Sequence, residues 1–292
     1  MRCTSPQKLV RKKCSVHEEI IIDLGSIEND LYELAENFAE PYGGGLPSYY
    51  LFGAAKKNGH RVMITGVGGD ELFGNHSNAV TLKQAFPQIT SFDAATYTPT
   101  MYGAGTKSSK APKLKSEYLS SISWDIDGNV HEMIQTASSI EEAVRIFDEN
   151  VQLPNEFITI IDLLSMNFSV EARTPFLDKN SSDLARSIPF ELGCTPKDYK
   201  SLLVNSLGSF MLKSALGHAK SGFLLPLSVL MRKTMRGLFD KLMSQKCLES
   251  AGSYDGKIHP ELIEPFLRGD NRLVALVWRV FFLQFWVSQT VR

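Results

Sequence analysis

Cysteine is scarce in this chain, and the spacing of its few cysteines excludes two kinds of small-protein scaffold. The 292 residues include only Cys3, Cys14, Cys194 and Cys247. None of them forms a C-x-x-C pair, so the spacing indicates neither a zinc site nor a disulfide framework. We therefore expect a reduced, cytoplasmic setting.

The chain also has little excess charge and no long apolar run. A formal net charge of -1 argues against nucleic acid or an anionic membrane as the main partner, because such binding needs clustered excess Lys and Arg. No segment reaches the roughly 20 apolar residues that span a bilayer. The run from Leu273 to Val287 is broken by Arg279 and Gln284, and we interpret it as a buried helix. The start of the chain has no apolar segment typical of a cleaved signal peptide.

Strand and helix patterns alternate near the start of the chain. A β-branched run over His17 to Asp23 predicts a strand, and the spacing of apolar residues predicts helices over residues 29–40 and 48–58. Asn29 or Asp30 is available to cap the first helix. A second strand is predicted over residues 61–65. This order is typical of a βαβ unit and therefore of a parallel, covered sheet.

The remainder of the chain predicts loop and then helices. Residues 75–129 are rich in Thr, Ser, Lys and Gly, and we interpret them as loop with short helical pieces. Ser139 and Glu142 form a capping box, and further helices are predicted over residues 155–168, 181–187, 199–212, 227–243 and 271–289. We expect one domain over 1–292, with a partial α/β part (1–129) and a helical part (130–292).

The stretch from Arg61 to Gly74 is the first candidate for chemistry. An apolar strand leads into Gly66, Gly68 and Gly69, whose backbone amides can approach an anion. Asp70 and Glu71 follow, and their oxygens suit Mg²⁺ bound with phosphate. The alternative is a plain turn between strand and helix with a solvated acid pair.

A second motif covers Asp162 to Asp178. Asp162, Met166 and Ser169 lie at i, i+4 and i+7, so they share one helix face. Buried charges must be paired, so Glu171, Arg173 and Asp178 are interpreted as an internal network that holds the turn, while Asp162 stays open as either a structural or a functional residue.

A third candidate is Lys220, which precedes Ser221 and Gly222. Its ammonium is placed to enter a pocket and stabilise phosphate charge in a transition state. The alternative is a lysine near a helix C-terminus, which the helix dipole favours.

Together, these motifs resemble the synthetase domain of glutamine-hydrolysing asparagine synthetases, which belong to the ATP pyrophosphatase class. The family is marked by T-G-x-G-G-D-E-L-F-G, D-x-x-x-M followed by S-V-E-A-R-x-P-F-L-D, K-x-x-L, and R-x-K-x-G-F-x-x-P. The corresponding segments of this chain are Thr65–Gly74, Asp162–Asp178, Lys200–Leu203 and His218–Pro226. The resemblance implies an α/β fold whose parallel sheet is of the adenine nucleotide hydrolase-like type, truncated at the N-terminus and followed by a mostly helical half.

The resemblance further implies ATP and Mg²⁺ as cofactors and a carboxylate, aspartate in the family, as substrate. ATP adenylates the carboxylate with release of pyrophosphate, and ammonia then displaces AMP. Carried over to this chain, Asp70 is the metal ligand. The implied cofactor-binding residues are Thr65, Gly66, Gly68, Gly69 and Asp70, and the implied catalytic residues are Lys220, Asp162 and Glu71.

The chain departs from the family at single residues and in missing segments. His218 stands where the family carries Arg, and the Arg that follows K-x-x-L in the family is absent at Val204. Val67 stands where the family carries an acid, which puts aspartate as the substrate in doubt. The family's nucleotide loop, S-G-G-x-D-S, does not occur, and the nearest look-alike, Gly44–Ser48, is interpreted as a helix start with Pro47 in its first turn. The N-terminal glutaminase with its leading cysteine is also missing. Ammonia is then either free or supplied by a partner chain, which would also carry the nucleotide loop.

Three hypotheses follow. The first is a truncated asparagine-synthetase-type ligase half that amidates aspartate and is incomplete alone. The second is a non-catalytic or regulatory relative of the domain. The third is an amide ligase of the same class with another substrate, of the β-lactam synthetase or peptide macrocyclase type. Val67 separates the first from the third, and the missing nucleotide loop separates both from the second.

Overall fold

The computed structural model of the chain describes residues 18–38, 40–73, 79, 82–84, 87–88, 90–91, 132–134, 136–189, 201–207, 225–250, 254 and 257–290. In the first part, helix α1 spans Ile27–Glu36 and helix α2 spans Leu46–Lys57. Strand β1 spans Val62–Ile64 and helix α3 spans Gly69–Phe73.

The second part is mainly helical. In chain order it contains helix α4 (Ile140–Phe147), a π-helical stretch (Asp148–Ile158), helix α5 (Thr159–Asn167), strand β2 (Glu171–Arg173), a 3₁₀ turn (Pro175–Leu177), helix α6 (Lys179–Ser187) and helix α7 (Ser201–Leu207). Helix α8 (Leu227–Val229) runs into a π-helical turn (Leu230–Thr234). The elements that follow are α9 (Arg236–Leu242), α10 (Gln245–Ser250), a π-helical turn (His259–Ile263), α11 (Glu264–Leu267), a 3₁₀ turn (Asn271–Leu273) and α12 (Val274–Thr290).

The two strands form a parallel pair in which Met63 lies opposite Ala172. Both of these side chains pack against the main hydrophobic core, so one face of the pair is covered by helices. A parallel pair covered in this way is an α/β arrangement. The α/β prediction is thus confirmed at this level, whereas the ATP-pyrophosphatase type of sheet remains a prediction.

Two expectations about strands are wrong. Residues 18–23 adopt no regular structure, and Ile21 is 87% exposed, although their β-branched side chains predict a strand. Strand preference mainly reflects packing against neighbours, which this run lacks. Conversely, Glu171–Arg173 is strand β2 rather than part of a turn, because its backbone pairs with β1.

The helix starts differ in whether a side chain caps them. Ser26, rather than Asn29 or Asp30, precedes the first turn of α1, and its hydroxyl donates to Asp30 Oδ2 at 3.1 Å. Helix α2 begins with Pro47 in its first turn, as predicted. Ser139 caps α4 as predicted, since its Oγ accepts from the Glu142 N–H at 3.1 Å, whereas the Glu142 carboxylate accepts from the Ser138 N–H at 2.8 Å rather than from that of Ser139.

The main core is built around α12. Phe281, Phe282 and Phe285 are fully buried there, and they pack with residues of α1, α2, α5 and α9. One core therefore joins the first and second parts of the chain. A smaller cluster contains Ala79, Leu82, Ile140, Val144 and Phe147. Across the part of the chain that the structure describes, no helix is long and apolar enough to cross a membrane.

Candidate active site

The glycine turn is a direct continuation of strand β1. The Thr65 N–H donates to the Arg173 carbonyl at 2.8 Å, which extends the strand pairing to the residue before the turn. The Gly69 N–H then donates to the Gly66 carbonyl at 3.2 Å, and the Leu72 N–H to the Gly68 carbonyl at 3.0 Å. Strand, turn and helix α3 thus follow one another without a break, and the Gly69 amide is used within the turn.

Two of the glycines are required by the packing of the turn. Gly68 has φ +87°, and a Cβ on it would lie 2.8 Å from Leu177 Cγ. A Cβ on Gly69 would lie 3.2 Å from the Phe176 ring. Side chains at either position would push the turn away from the Pro175–Leu177 turn, so the structure brings the first two sequence motifs into contact.

Sequence analysis missed the role of Phe176 and Leu177. They follow β2 directly, and the Phe176 ring meets the Phe73 ring edge-on with centroids 5.7 Å apart. The available signal was the apolar pair Phe176–Leu177, which follows Pro175 within the second motif. These residues hold the glycine turn from the side of β2.

Gly66 and Thr65 differ from the rest of the turn, because the space beside the Gly66 backbone is open and the Thr65 hydroxyl is buried without a partner in the described residues. A Cβ on Gly66 would meet no atom within 4 Å. The Thr65 hydroxyl oxygen is buried, and it has no hydrogen-bond partner in the part of the chain that the structure describes. Buried hydroxyls are normally paired, so this hydroxyl beside open backbone suits an oxygen of a bound ligand.

The acid pair lies in helix α3, immediately after the turn. Asp70 is half-buried and Glu71 is only 8% exposed, and both have interaction partners in the structure. Glu71 is therefore not a solvated acid. A buried carboxylate must be compensated by neighbouring groups, which places Glu71 among the groups that shape the turn.

The number of metal-ligating side chains near the glycine turn decides which kind of Mg²⁺ site is possible there. The described residues hold no group of three His, Cys, Asp or Glu side chains arranged around one metal position. Mg²⁺ that arrives with phosphates needs only one or two protein carboxylates. One carboxylate such as Asp70 is enough for an ion carried by a nucleotide, whereas the described residues offer no all-protein metal site.

Asp162 lies on the exposed face of α5, and Met166, which is 50% exposed, shares that face as predicted. Ser169 follows the helix and has φ +53°. The Val170 N–H donates to the Ser165 carbonyl at 2.9 Å, closing the helix end before β2 begins. The role of Asp162 in the site remains a prediction.

The predicted buried network of Glu171, Arg173 and Asp178 is wrong. Glu171 and Arg173 do pair at 3.0 Å, but both side chains are more than half exposed. Asp178 instead caps α6 by accepting from the Asn180 N–H at 2.9 Å. The alternation of a strand turns Glu171 and Arg173 outward, which a turn would not have done.

Lys220 lies outside the described residues, as do Lys200 and most of the segment from His218 to Pro226. The tryptophans of the C-terminal helix are described. Trp278 Nε1 donates to the Gly43 carbonyl at 2.9 Å, and Trp286 Nε1 donates to the Phe38 carbonyl at 3.0 Å. They fix the backbone that leads into α2.

Comparison with models of known protein families identifies a family that matches most of the chain. The family model described as asparagine synthase matches residues 6–288, which include every motif considered above. No curated protein and no solved structure matches the chain.

Proposed function

The chain belongs to the asparagine synthase family, and we propose that it is the ATP-using part of an amide-forming ligase. In the proposed reaction, a substrate carboxylate oxygen attacks the α-phosphorus of ATP and pyrophosphate leaves. Ammonia then attacks the carbonyl carbon of the acyl-adenylate, loses a proton and expels AMP. Family membership supports an ATP-dependent ligase in general; the substrate and the steps are our proposal.

The observation that carries this proposal is the pairing of β1 with β2. It holds the glycine turn against the Pro175–Leu177 turn and leaves open space at the Gly66 backbone, next to the buried Thr65 hydroxyl. Ligands of open α/β sheets bind at this carboxyl edge of the strands.

Each residue of the site then has a proposed role. The Thr65 hydroxyl and the backbone at Gly66 bind nucleotide oxygens, while Gly68 and Gly69 allow the turn to form. Asp70 holds Mg²⁺, which supplies positive charge to the phosphates when bound. Glu71 supports the turn beneath Asp70. Lys220 and Asp162 complete the set as the residues that neutralise developing charge and line the substrate side.

Val67 favours a carboxylate other than aspartate. It is half-buried in the turn, in the position where an acidic side chain is expected. An isopropyl group neither accepts a proton from ammonia nor binds an ammonium group. An amide ligase with another substrate is therefore the form of the proposal that this residue supports.

The outer edge of β1 supports a contribution from a second chain. Arg61 and Thr65 bond to β2 through their backbones, so alternation turns the backbone groups of Val62 and Ile64 away from it. Within the described ranges, no further strand continues the sheet. We infer that a partner's strand, ending in the nucleotide loop S-G-G-x-D-S that this sequence lacks, pairs here.

A non-catalytic role is the second candidate. It is favoured by the sequence, because the nucleotide loop S-G-G-x-D-S does not occur in it. Under this hypothesis, the turn binds a nucleotide or a partner without adenylating a carboxylate.

ATP–pyrophosphate exchange tests these alternatives. The full chain is assayed with Mg²⁺ and aspartate or other carboxylates, alone and mixed with a fragment of a family protein that carries the nucleotide loop. We expect exchange only in the mixture, abolished by Asp70→Asn and retained in Asp240→Asn, an exposed acid on α9. Exchange by the chain alone would refute the need for a partner. The absence of exchange in every mixture would support the non-catalytic role.

A further inference from the structure

A cavity of about 710 Å³ lies beside helices α2 and α12, and none of its described lining residues belongs to the glycine turn. Most of these lining residues are apolar or aromatic, and Tyr42, Trp278 and Phe282 contribute large rings. The volume falls within the range of small-molecule sites, which are typically lined by apolar and aromatic side chains with a few polar groups.

The cavity lies at the starts of two helices that run side by side in the same direction. A Cβ on Gly45, at the start of α2, would lie 3.2 Å from Leu164 Cδ1 of α5. Near the end of α2, a Cβ on Gly53 would lie 3.4 Å from the ring of Phe168, which directly follows α5. Each helix leads through a short turn into one strand of the parallel pair, so the starts of both helices lie toward the carboxyl edge of the strands. The cavity and the glycine turn therefore share this edge.

The two charged residues of the described lining are both engaged by other groups of the protein. Glu156, in the π-helical stretch Asp148–Ile158, accepts from the Tyr42 hydroxyl at 3.0 Å and from Gln152 Nε2 at 3.3 Å. Arg279 also has an interaction partner in the structure. A charged ligand would therefore lose its hydration without meeting an unengaged counter-charge in the described lining, which is costly. The cavity suits an uncharged ligand.

One polar group of the lining has no partner. Tyr254 is only 5% exposed, and its hydroxyl makes no hydrogen bond within the part of the chain that the structure describes. Burial alone raises the pKa of this hydroxyl, so it keeps its proton at neutral pH. Buried tyrosine hydroxyls usually find a hydrogen-bond partner. The Tyr254 hydroxyl is therefore a donor that an acceptor atom of a ligand can use.

The other aromatic side chains of the wall use their polar atoms within the protein. Trp278 Nε1 donates to the Gly43 carbonyl at 2.9 Å, and a Cβ on Gly43 would lie 2.7 Å from this nitrogen. A Cβ on Gly44 would lie 2.7 Å from the Tyr42 hydroxyl, which donates to Glu156. The two glycines let the backbone approach the rings closely. Tyr42 and Trp278 therefore offer ring surface to the cavity, and not a free donor.

We propose that this cavity binds an uncharged aromatic group that carries one hydrogen-bond acceptor. The Tyr254 hydroxyl donates to the acceptor, and Tyr42, Trp278 and Phe282 contact the ring. Contacts between aromatic rings are favourable beyond the apolar area that they bury. A ligand without an acceptor would leave the Tyr254 hydroxyl unpaired in the filled cavity, which is costly for a buried donor.

Identifying this group as part of the ligase substrate rests on the proposed function, but its binding does not. The test is therefore a calorimetric titration of the full chain without ATP or Mg²⁺. Four probes of similar shape are compared. Acetophenone has the ring and a carbonyl acceptor, α-methylstyrene replaces the carbonyl oxygen by a methylene group, benzoate carries a charge, and cyclohexyl methyl ketone lacks the aromatic ring.

We expect acetophenone to bind saturably. Benzoate should bind at least about tenfold more weakly, because its charge finds no unengaged partner. Cyclohexyl methyl ketone should bind about threefold more weakly, the loss expected when ring contacts are removed. No saturation by acetophenone, or equally tight binding of benzoate or of cyclohexyl methyl ketone, would overturn the proposal. This comparison uses the unaltered protein and does not depend on a variant folding.

Tyr254→Phe tests the hydrogen bond, because it removes the hydroxyl and keeps the ring. Acetophenone should bind about fivefold more weakly to this variant, whereas the affinity for α-methylstyrene should not fall. The melting temperature of the free protein should not fall either, since the hydroxyl has no partner to lose among the described residues. The matched control is Tyr32→Phe, a half-buried tyrosine outside the described lining, which should bind both probes like the parent.

An unchanged affinity for acetophenone in folded Tyr254→Phe, or an equal loss for both probes, contradicts the role of the hydroxyl. The ligase is tested separately by the exchange assay. Probe binding without exchange leaves the cavity site intact and refutes only its link to the ligase, whereas exchange without probe binding refutes the cavity site alone.

Discussion

The helical core and the sheet edge of this protein differ in how deeply their apolar side chains are buried. Around α12, Phe281 and Phe285 are completely buried, with ring centroids 6.2 Å apart. On the sheet, Ile64 is 72% exposed and each strand has three residues. Because burial of apolar surface is the main stabilising contribution to a fold, the helices supply most of the stability, while the sheet edge presents the candidate site.

The two tryptophans of α12 connect these regions. Their indole N–H groups bond to the backbone at Phe38 and Gly43, which lie between α1 and α2. The rigid core thereby positions the chain that leads through α2 to β1. The contrast between core and edge can be tested by substitutions, taken here from the largest expected effect to the smallest.

Truncation of the core should have the largest effect. Phe281→Ala removes a buried ring that contacts Phe239, Trp278 and Phe285, and we expect a loss of about 3–5 kcal/mol in the free energy of unfolding. Urea denaturation measures it. Val229→Ala, at a side chain that is 40% exposed, serves as the control and should change stability by less than about 0.5 kcal/mol. Similar losses of stability in both variants would contradict the difference between the buried core and exposed positions.

The glycine turn should lose stability when Gly68 is substituted, but not when Gly66 is. Gly68→Ala meets a positive φ and a clash with Leu177, so we expect a loss of about 1–3 kcal/mol. Gly66→Ala has open space and an ordinary φ, and its stability should stay close to that of the parent. Urea denaturation of the pair gives the comparison. A tolerated Gly68→Ala would show that the turn does not pack against the Pro175–Leu177 turn.

One substitution should improve the core. Gln284 is 1% exposed, and its Oε1 lacks a donor in the described part of the chain, while its Nε2 reaches Cys247 only at 3.4 Å and 3.6 Å. An unsatisfied buried oxygen is costly, so Gln284→Leu should raise the free energy of unfolding by about 1 kcal/mol. Thermal denaturation measures the gain. A loss instead would mean that the amide has a partner that the contact geometry does not show.

The end of α5 offers a smaller gain at the sheet edge. Ser169 has φ +53°, which glycine adopts with less strain, so Ser169→Gly should stabilise the protein by about 0.5–1 kcal/mol. Ser181→Gly within helix α6 is the matched control and should destabilise it by about 0.5 kcal/mol. Changes of the same sign in both variants would contradict the backbone argument.

The smallest effect concerns pH and the cap of α4. Hydrogen bonds from Ser138 hold the pKa of Glu142 below its ordinary value of 4.5. The ionised carboxylate thus adds stability above pH 4.5, and this is lost as the pH falls through the lower folded pKa. Glu142→Gln should cost about 0.5 kcal/mol at pH 7. Denaturation of Glu142→Gln and the parent at pH 7 and pH 3 checks whether their difference in stability is smaller at pH 3.

Much of the fold was predictable where the signal is local. Apolar spacing predicted α2 and the long helix at the C-terminus, Ser139 with Glu142 predicted a cap, and an apolar run predicted β1. Strand β2 was not predictable, because Glu171–Arg173 is short, mostly charged and defined only by its register with β1. The cavity was also missed, since its wall combines residues from distant segments and a π-helical stretch without a sequence signature.

The outer edge of β1 has a consequence for how the protein behaves in concentrated solution. Exposed strand edges with apolar side chains template pairing between identical chains, and Val62 and Ile64 are 43% and 72% exposed. The strand is only three residues long, and the charged Glu171 and Arg173 lie beside it, which limits such growth. Self-association through β1 and pairing with the proposed partner strand would use the same backbone groups, so an excess of the partner over this chain would suppress self-association.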